Sequence, residues 1–191
     1  MDIAGLNELR IDLGDGVYMR PVQSGDAKAA FEVIERNYDH LRTFMEWAKP
    51  DYSLEDAVEW VERSTKRSRD DDPLNFCLFS GGRMIGTIGF SGFDMDAKVT
   101  EIGYWIDVAE QGKGITGLAT RKLVELAFEQ LGMERVQIRC ADDNIRSAAI
   151  PRKLGFVEEG RQRRHVMRDG KIYDFLIFGL LRDEWLARRN T

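Results

Sequence analysis

Three glycines in six positions, Gly112-Lys-Gly114-Ile-Thr-Gly117, form the stretch of this chain best suited to hold a ligand. Before them, residues 100–107 alternate as a strand does. After them, Leu123, Val124, Ala127 and Leu131 repeat with the period of a helix. A glycine-rich turn at a helix start leaves backbone N–H groups bare at the positive end of the helix dipole, and such a place attracts a phosphate or pyrophosphate. The letters also match G-x-G-x-x-G. A dinucleotide-binding unit, however, sets its first glycine almost directly after a continuously apolar strand, with an acid about 20 residues on for the ribose. Here Val108 to Gln111 intervene and the strand alternates polar with apolar. A nucleoside-triphosphate loop needs Ser or Thr after Gly-Lys, and Gly114 stands in that place.

Other reactive side chains lie close by in sequence. In the run before the loop, Ile102, Tyr104 and Ile106 share one face, and Glu101, Gly103, Trp105 and Asp107 the other. A carboxylate two residues from a glycine on a ligand-facing strand is placed to take the proton of an ammonium and so free its nitrogen to attack, directly or through water, so Glu101 is a candidate base. The plain alternative is a solvated or salt-bridged strand glutamate. His165 is a second candidate because imidazole titrates near neutrality, although an ordinary hairpin histidine explains it as well. Asn144 and Ser147 fall one helical turn apart on one face, where Asn144 has the form of an N-cap. Arg161, Arg163, Arg164, Arg168 and Lys171 make a basic run that fits an acidic partner, a nucleotide phosphate or a solvated strand face.

The elements that must position these groups can be read in order. Val17 to Val22 reads as a short strand. Ser24-Gly25-Asp26 then opens a helix carrying Ala30, Ile34, Tyr38 and Leu41, which the pattern continues to Trp47, before Pro50. Ser53 and Asp56 form a capping box for a second helix, with Leu54, Val58 and Val61 as its expected buried face. A charged loop from Lys66 to Asp72 follows. Leu74 to Ser80 and Met84 to Phe90 pair around the turn Gly81-Gly82, and Ser91 to Lys98 turns into the next strand. Beyond the glycine loop and its helix, Arg135 to Cys140 forms a strand expected to be parallel to 100–107. A short helix runs from Asn144 to about Leu154, with Pro151 expected to kink or shorten it. Phe156 to Val166 and Ile172 to Leu181 close as a hairpin around Asp169-Gly170, and a last helical turn follows. The fold class is α+β: a mixed, mostly antiparallel central sheet with one parallel βαβ unit at the glycine loop.

Length and composition set the outer limits. The 191 residues, 43% hydrophobic and 32% charged, fit a single domain over 1–191 with a sizeable core. No apolar run of about eighteen residues argues for a membrane span. The first ten residues carry acids and no signal-type apolar core, so the cytoplasm is the expected address. Cys77 and Cys140 sit in strand-like runs as buried free thiols, suggesting neither a disulfide framework nor a metal. A net charge of −5 argues against direct nucleic-acid binding. Nothing in the pattern decides between a monomer and a homo-oligomer.

The segment Glu101-Ile-Gly-Tyr-Trp-Ile…Gln111-Gly-Lys-Gly-Ile-Thr-Gly117 resembles the pyrophosphate loop of the GNAT (GCN5-related) superfamily of N-acetyltransferases, with Thr116 where the superfamily pattern places Gly or Ala. Asn144-Ile-Arg-Ser147 with Arg152-Lys-Leu-Gly-Phe156 is similar to that superfamily's second cofactor-side element. His40-Leu-Arg-Thr-Phe-Met-Glu-Trp47 resembles the end of the first helix in the ribosomal-protein N-terminal (RimJ/RimL-type) subgroup. The resemblance implies a GNAT-like acyl-CoA N-acyltransferase fold, acetyl-CoA as co-substrate, no metal, and a primary amine as acceptor. In the subgroup that amine is a protein N-terminus; a polyamine or aminoglycoside is the alternative, as is a non-catalytic CoA-binding sensor. By the same resemblance, Gln111, Gly112, Lys113, Gly114, Ile115, Thr116 and Gly117 hold the pyrophosphate. The backbone of Ile106 and Val108, together with Asn144, holds the pantetheine arm. Ser147 assists the leaving thiolate, for which a hydroxyl suffices because a thiol's pKa is about 8.5. Glu101 gains weight as the base because the closing hairpin, Arg163-Arg-His-Val-Met-Arg168, lacks the subgroup's alternative glutamate. Arg42, Trp47 and Trp105 are the acceptor-site candidates.

Overall fold

A computed structural model describes residues 6, 9–66, 71–168 and 170–189. Its centre is an eight-stranded sheet: β1 (Ile11–Gly14), β2 (Val17–Pro21), β3 (Leu74–Ser80), β4 (Arg83–Asp94), β5 (Val99–Ile106), β6 (Arg135–Ala141), β7 (Val157–Arg168) and β8 (Lys171–Leu181). The spatial order is β1-β2-β3-β4-β5-β6-β8-β7. Every pairing is antiparallel except β5 with β6. The fold is therefore mixed α+β with one parallel pair, as the chain order requires when α4 (Ile115–Glu129) must cross over between those two strands.

Helices cover both faces. On one face α4 buries Ala119, Leu123, Val124, Ala127 and Phe128 against Ile102, Ile106, Ile138 and Phe178. On the other, α1 (Ala27–Arg36) and α3 (Leu54–Thr65) pack Ala30, Val33, Ala57 and Val61 over Cys77 and Phe79. Central strand β3 serves both: Phe76 and Leu78 enter the first core, Cys77 and Phe79 the second. The helix α5 (Ile145–Leu154) and α6 (Arg182–Arg189) complete the set, with Gly155 ending α5 in the left-handed conformation at φ 84°.

Several expectations are corrected. The first helix does not continue to Trp47. It stops at Arg36, and only a short α2 (Tyr38–Leu41) follows. Asn37 causes the break: its amide donates to Val33 O and its Oδ1 accepts the Val108 N–H, so its backbone (φ −111°, ψ 8°) leaves the helical course. The Ser53–Asp56 capping box is present, yet Leu54 and Val58 are exposed, and the buried face is Ala57 and Val61. The strand begun at Met84 runs on through Ser91 to Asp94, past an irregularity between Phe90 and Phe93. Pro151 lies inside α5, which still extends to Leu154. Part of the charged loop (67–70) and Asp169 of the closing turn fall outside the described residues.

Contact between β4 and β5 is tight enough to forbid side chains. A Cβ on Gly86 would stand 2.3 Å from Trp105 O and 2.8 Å from Ile106 Cα. Gly86→Ala should therefore lower unfolding free energy by about 1–3 kcal/mol in urea titration. Gly25→Ala, where a Cβ meets nothing within 4 Å, should stay within about 0.5 kcal/mol of wild type.

Candidate functional site

The parallel pair is short. β5 and β6 share only the rungs Val99↔Arg135, Thr100↔Val136 and Glu101↔Gln137. Beyond them β5 continues to Ile106 against β4, and β6 continues to Ala141 against β8. The two strands part and leave a cleft. In the antiparallel β4–β5 ladder, Asp107 N–H donates to Ile85 O at 2.7 Å. Bonded pairs alternate along such a ladder, so Gly103 and Trp105 also bond to β4. The N–H and C=O groups of Tyr104 and Ile106 therefore point the other way, into the cleft.

Two cavities fill this cleft. One, of about 1100 Å³, runs from β5 over the glycine loop to α5; its walls include Ile106, Val108, Gln111, Gly112, Gly114, Ile115, Thr116, Gly117 and Asn144. Gly112 and Gly114 have φ of 79° and 80°, which side-chain-bearing residues avoid, and this turns the chain sharply into α4. The first-turn N–H groups of Ile115, Thr116 and Gly117 have no intrahelical acceptors. A Cβ on Gly117 would meet nothing within 4 Å, so its backbone is open to a ligand. The loop thus fits a pyrophosphate. Lys113 is not on the cavity wall; it pairs with Glu110 at 2.8 Å. Val108 lines the wall, but its N–H is taken by Asn37 and its carbonyl by Gln111 N–H. Of the two strand-end positions expected to bind an amide-bearing arm, Ile106 alone presents free backbone groups.

A charge network holds this loop in place. Asp107, nearly fully buried, accepts from Arg36 Nε at 2.8 Å, Arg83 at 3.2 Å and Ala109 N–H at 3.0 Å. Arg83 also reaches Glu110 at 3.1 Å. Burial pushes the Asp107 carboxyl up, but the Arg36 guanidinium and the Ala109 N–H outweigh burial and hold it below its usual value. Gln111 is fixed between His40, 2.8 Å away, and Arg146. Burial, then the charge of Arg146, lowers the His40 pKa, which keeps the ring nitrogen free to accept from the Gln111 amide.

The second cavity, of about 570 Å³, lies between α3 and strands β4 to β6. Trp47, Tyr52, Trp60 and Trp105 supply aromatic walls, and Glu59, Arg63, Lys49 and Arg139 supply charge. Trp47 is 42% exposed and packs 6.0 Å from both Tyr52 and Trp105, so it belongs to this wall and not to the core. Arg42 is on neither cavity; it lies 3.6 Å from Asp39.

Tyr104, Trp105, Asn144, Ser147, Phe44 and Met45 line both cavities and mark their junction. Asn144 caps α5 by accepting the Ser147 N–H at 3.1 Å. The Tyr104 hydroxyl donates to Ser147 O at 3.1 Å and lies 3.4 Å from Ser147 Oγ. Burial raises the Tyr104 pKa well above its usual range, so the phenol stays protonated. Burial likewise pushes the adjacent Cys140 thiol up to about 11, despite a hydrogen bond with Ser147. Glu101 is not at either wall. Its carboxylate accepts from Arg139 Nε at 2.8 Å and Gln137 Nε2 at 3.1 Å. His165 sits outside both cavities, its ring 4.7 Å from that of Phe175 and tilted to it by 44°. Sequence reasoning passed over Tyr104, Arg146, Lys153 and Glu59. The available signal for Arg146 and Lys153 was their seven-residue spacing, two turns of one helix face.

Residues 17–157 match the family described as Acetyltransferase (GNAT) domain. The chain is 32% identical over 174 residues, covering 91% of itself and 95% of the relative, to a Bacillus subtilis (strain 168) protein named "Putative ribosomal N-acetyltransferase YdaF". It is 27% identical over 150 residues, 78% of this chain and 84% of the other, to the ribosomal-protein-serine acetyltransferase of Escherichia coli (strain K12). Among solved structures it is similar to a microcin self-immunity acetyltransferase, MccE, in complex with acetyl-CoA and AMP, with a TM-score of 0.85, 25% identity, and coverage of 93% of this chain and 99% of that one.

The Asp107 network makes a pH-dependent prediction. Asp107→Asn removes the negative charge between Arg36 and Arg83 and should cost about 1–3 kcal/mol at pH 7 by urea titration. Because the folded carboxyl titrates below its unfolded value, the wild-type advantage is complete above about pH 4 to 5 and shrinks as pH falls through the folded pKa. An advantage that grew on acidification would contradict the assignment.

Proposed function

The chain belongs to the GNAT family and is an acetyl-CoA-dependent N-acetyltransferase, and on that footing we propose that its acceptor is a primary amine, the N-terminal amine of a protein. The observation that carries this reading is the junction of the two cavities at Tyr104, Asn144 and Ser147. The larger cavity suits acetyl-CoA. Its pyrophosphate would lie on the N–H groups at the start of α4, with Arg146 and Lys153 nearby, and its amide-bearing arm along the free edge of β5 at Tyr104 and Ile106. The thioester then reaches the junction, and the amine enters from the aromatic cavity.

The chemistry is direct transfer. The amine nitrogen attacks the thioester carbon, the C–N bond forms and the C–S bond breaks. A β5 backbone N–H facing the cleft stabilises the carbonyl oxygen as it gains charge. The Ser147 hydroxyl donates to the departing sulfur. Cys140 is protonated at neutral pH and so is no nucleophile for an acetyl-enzyme route. The ammonium proton leaves to cavity water. Glu101 acts one step back, through Arg139, which does line the acceptor cavity. The names of the two curated relatives support a protein acceptor. Four aromatic walls with Glu59 also suit a compact organic cation, which keeps a polyamine as the second reading.

An acceptor panel tests the reading. Thiol release from acetyl-CoA is followed with peptides bearing free α-amines, the same peptides N-formylated, and spermidine. Turnover with free α-amine peptides alone is expected. Turnover with spermidine and none of the peptides would replace the protein acceptor with a small amine.

A further inference from the structure

Arg168 ends β7 and is 8% exposed. Its guanidinium donates to the carbonyl oxygen of Thr43, 125 residues away, and to Asp143 Oδ1 at 2.7 Å. It lies 4.0 Å over the Tyr173 ring and 5.3 Å from the Phe44 ring. Its Nε is buried and, among the described residues, has no hydrogen-bond partner. Withdrawing a guanidinium from water is unfavourable unless its donors are paired, so an incompletely paired one is a poor device for stability alone.

Its place in the fold suggests another use. Phe44 and Met45, next to Thr43, line both cavities at the junction. Asp143 precedes Asn144, whose side chain holds the Ser147 N–H. Thr43 belongs to the half of the molecule built on β1 to β5, and Arg168 and Asp143 to the half built on β6 to β8. Where the sheet joins the two halves, it does so through three rungs only. Arg168 therefore ties them across the open end of the cleft.

We propose that Arg168 is a positioning residue: it holds the 42–47 segment across the cleft, so that Phe44 and Met45 shield the junction from bulk water while the Asp143-Asn144 turn keeps Ser147 in place. The planar fork is needed for this, because it bonds a carbonyl and a carboxylate at once while stacking on Tyr173; a lysine ammonium cannot reproduce that set. The role concerns the thioester site and does not depend on which amine is the acceptor. An unshielded thioester is open to water, whose oxygen bonds the acyl carbon as the C–S bond breaks, giving acetate and free thiol.

The test uses acetyl-CoA alone, with no acceptor. Arg168→Met and Arg168→Lys are compared with wild type by hydrogen exchange of residues 42–47 in the acetyl-CoA-loaded protein, and by thiol release. In Arg168→Met, exchange in 42–47 should rise about tenfold with the β3–β4 hairpin unchanged. Acceptor-free thiol release should rise about fivefold, and Arg168→Lys should fall between. Phe44→Ala, which leaves the Thr43 and Asp143 bonds intact, should raise thiol release without freeing 42–47, and it carries the test if Arg168→Met does not fold. Wild-type exchange and thiol release in a folded Arg168→Met would overturn the proposal. So would faster exchange with unchanged thiol release, or unchanged thiol release in Phe44→Ala.

Discussion

Beyond Glu101 and Gln137, β5 and β6 stop pairing, and the backbone groups of Tyr104 and Ile106 are left facing a gap in the middle of a sheet. Unpaired strand groups away from water are unfavourable, so a fold keeps them only where something else can satisfy them. Most of the site follows from that gap. The Tyr104 side chain reaches across to Ser147, bringing the start of α5 to the place where β6 would otherwise have paired. At the vertex, the last shared rung is reinforced by Glu101, which takes bonds from both Gln137 and Arg139. Glu101 is thus a clasp between the parting strands, tied on the β6 side to Arg139.

The glycine loop is placed by the same geometry. It starts where β5 leaves the sheet, and Asp107 at that exit is gripped by Arg36 of α1 and Arg83 of β4. Asn37 ends α1, caps its own last turn and fixes Val108. One residue therefore breaks the first helix and anchors the start of the glycine loop. Without that break, the 42–47 segment could not turn over the junction to meet Arg168.

Much of this was legible in the chain, for physical reasons. Period-two and period-3.6 patterns located β3, β5, β6 and α4, because those elements are buried on defined faces. The positive-φ glycines at 112 and 114 announced a turn that few other residues make. The illegible parts rest on contacts between distant residues. Asn37 looks like any helix residue until Val108 is beside it. Leu54 and Val58 look buried until the packing of α3 against α1 selects Ala57 and Val61. The insertion of β8 between β6 and β7 depends on tertiary packing, and so does the sorting of the basic run: Arg161 meets Asp142 and Asp174, Arg168 is buried, and Arg163 and Arg164 stay exposed. The strand face of Glu101 and its neighbouring glycine are visible in the sequence, and neither reveals that Arg139 stands within hydrogen-bond reach.

The free edge of β5 is most directly tested by amide hydrogen exchange at single-residue resolution, with and without saturating acetyl-CoA. Tyr104 and Ile106 N–H groups should become protected by about tenfold or more, while Gly103 and Trp105, already bonded to β4, should not change. Saturated protein in which Tyr104 and Ile106 exchange at their ligand-free rates would show that the ligand does not lie along this edge, and the cleft would lose the role given to it.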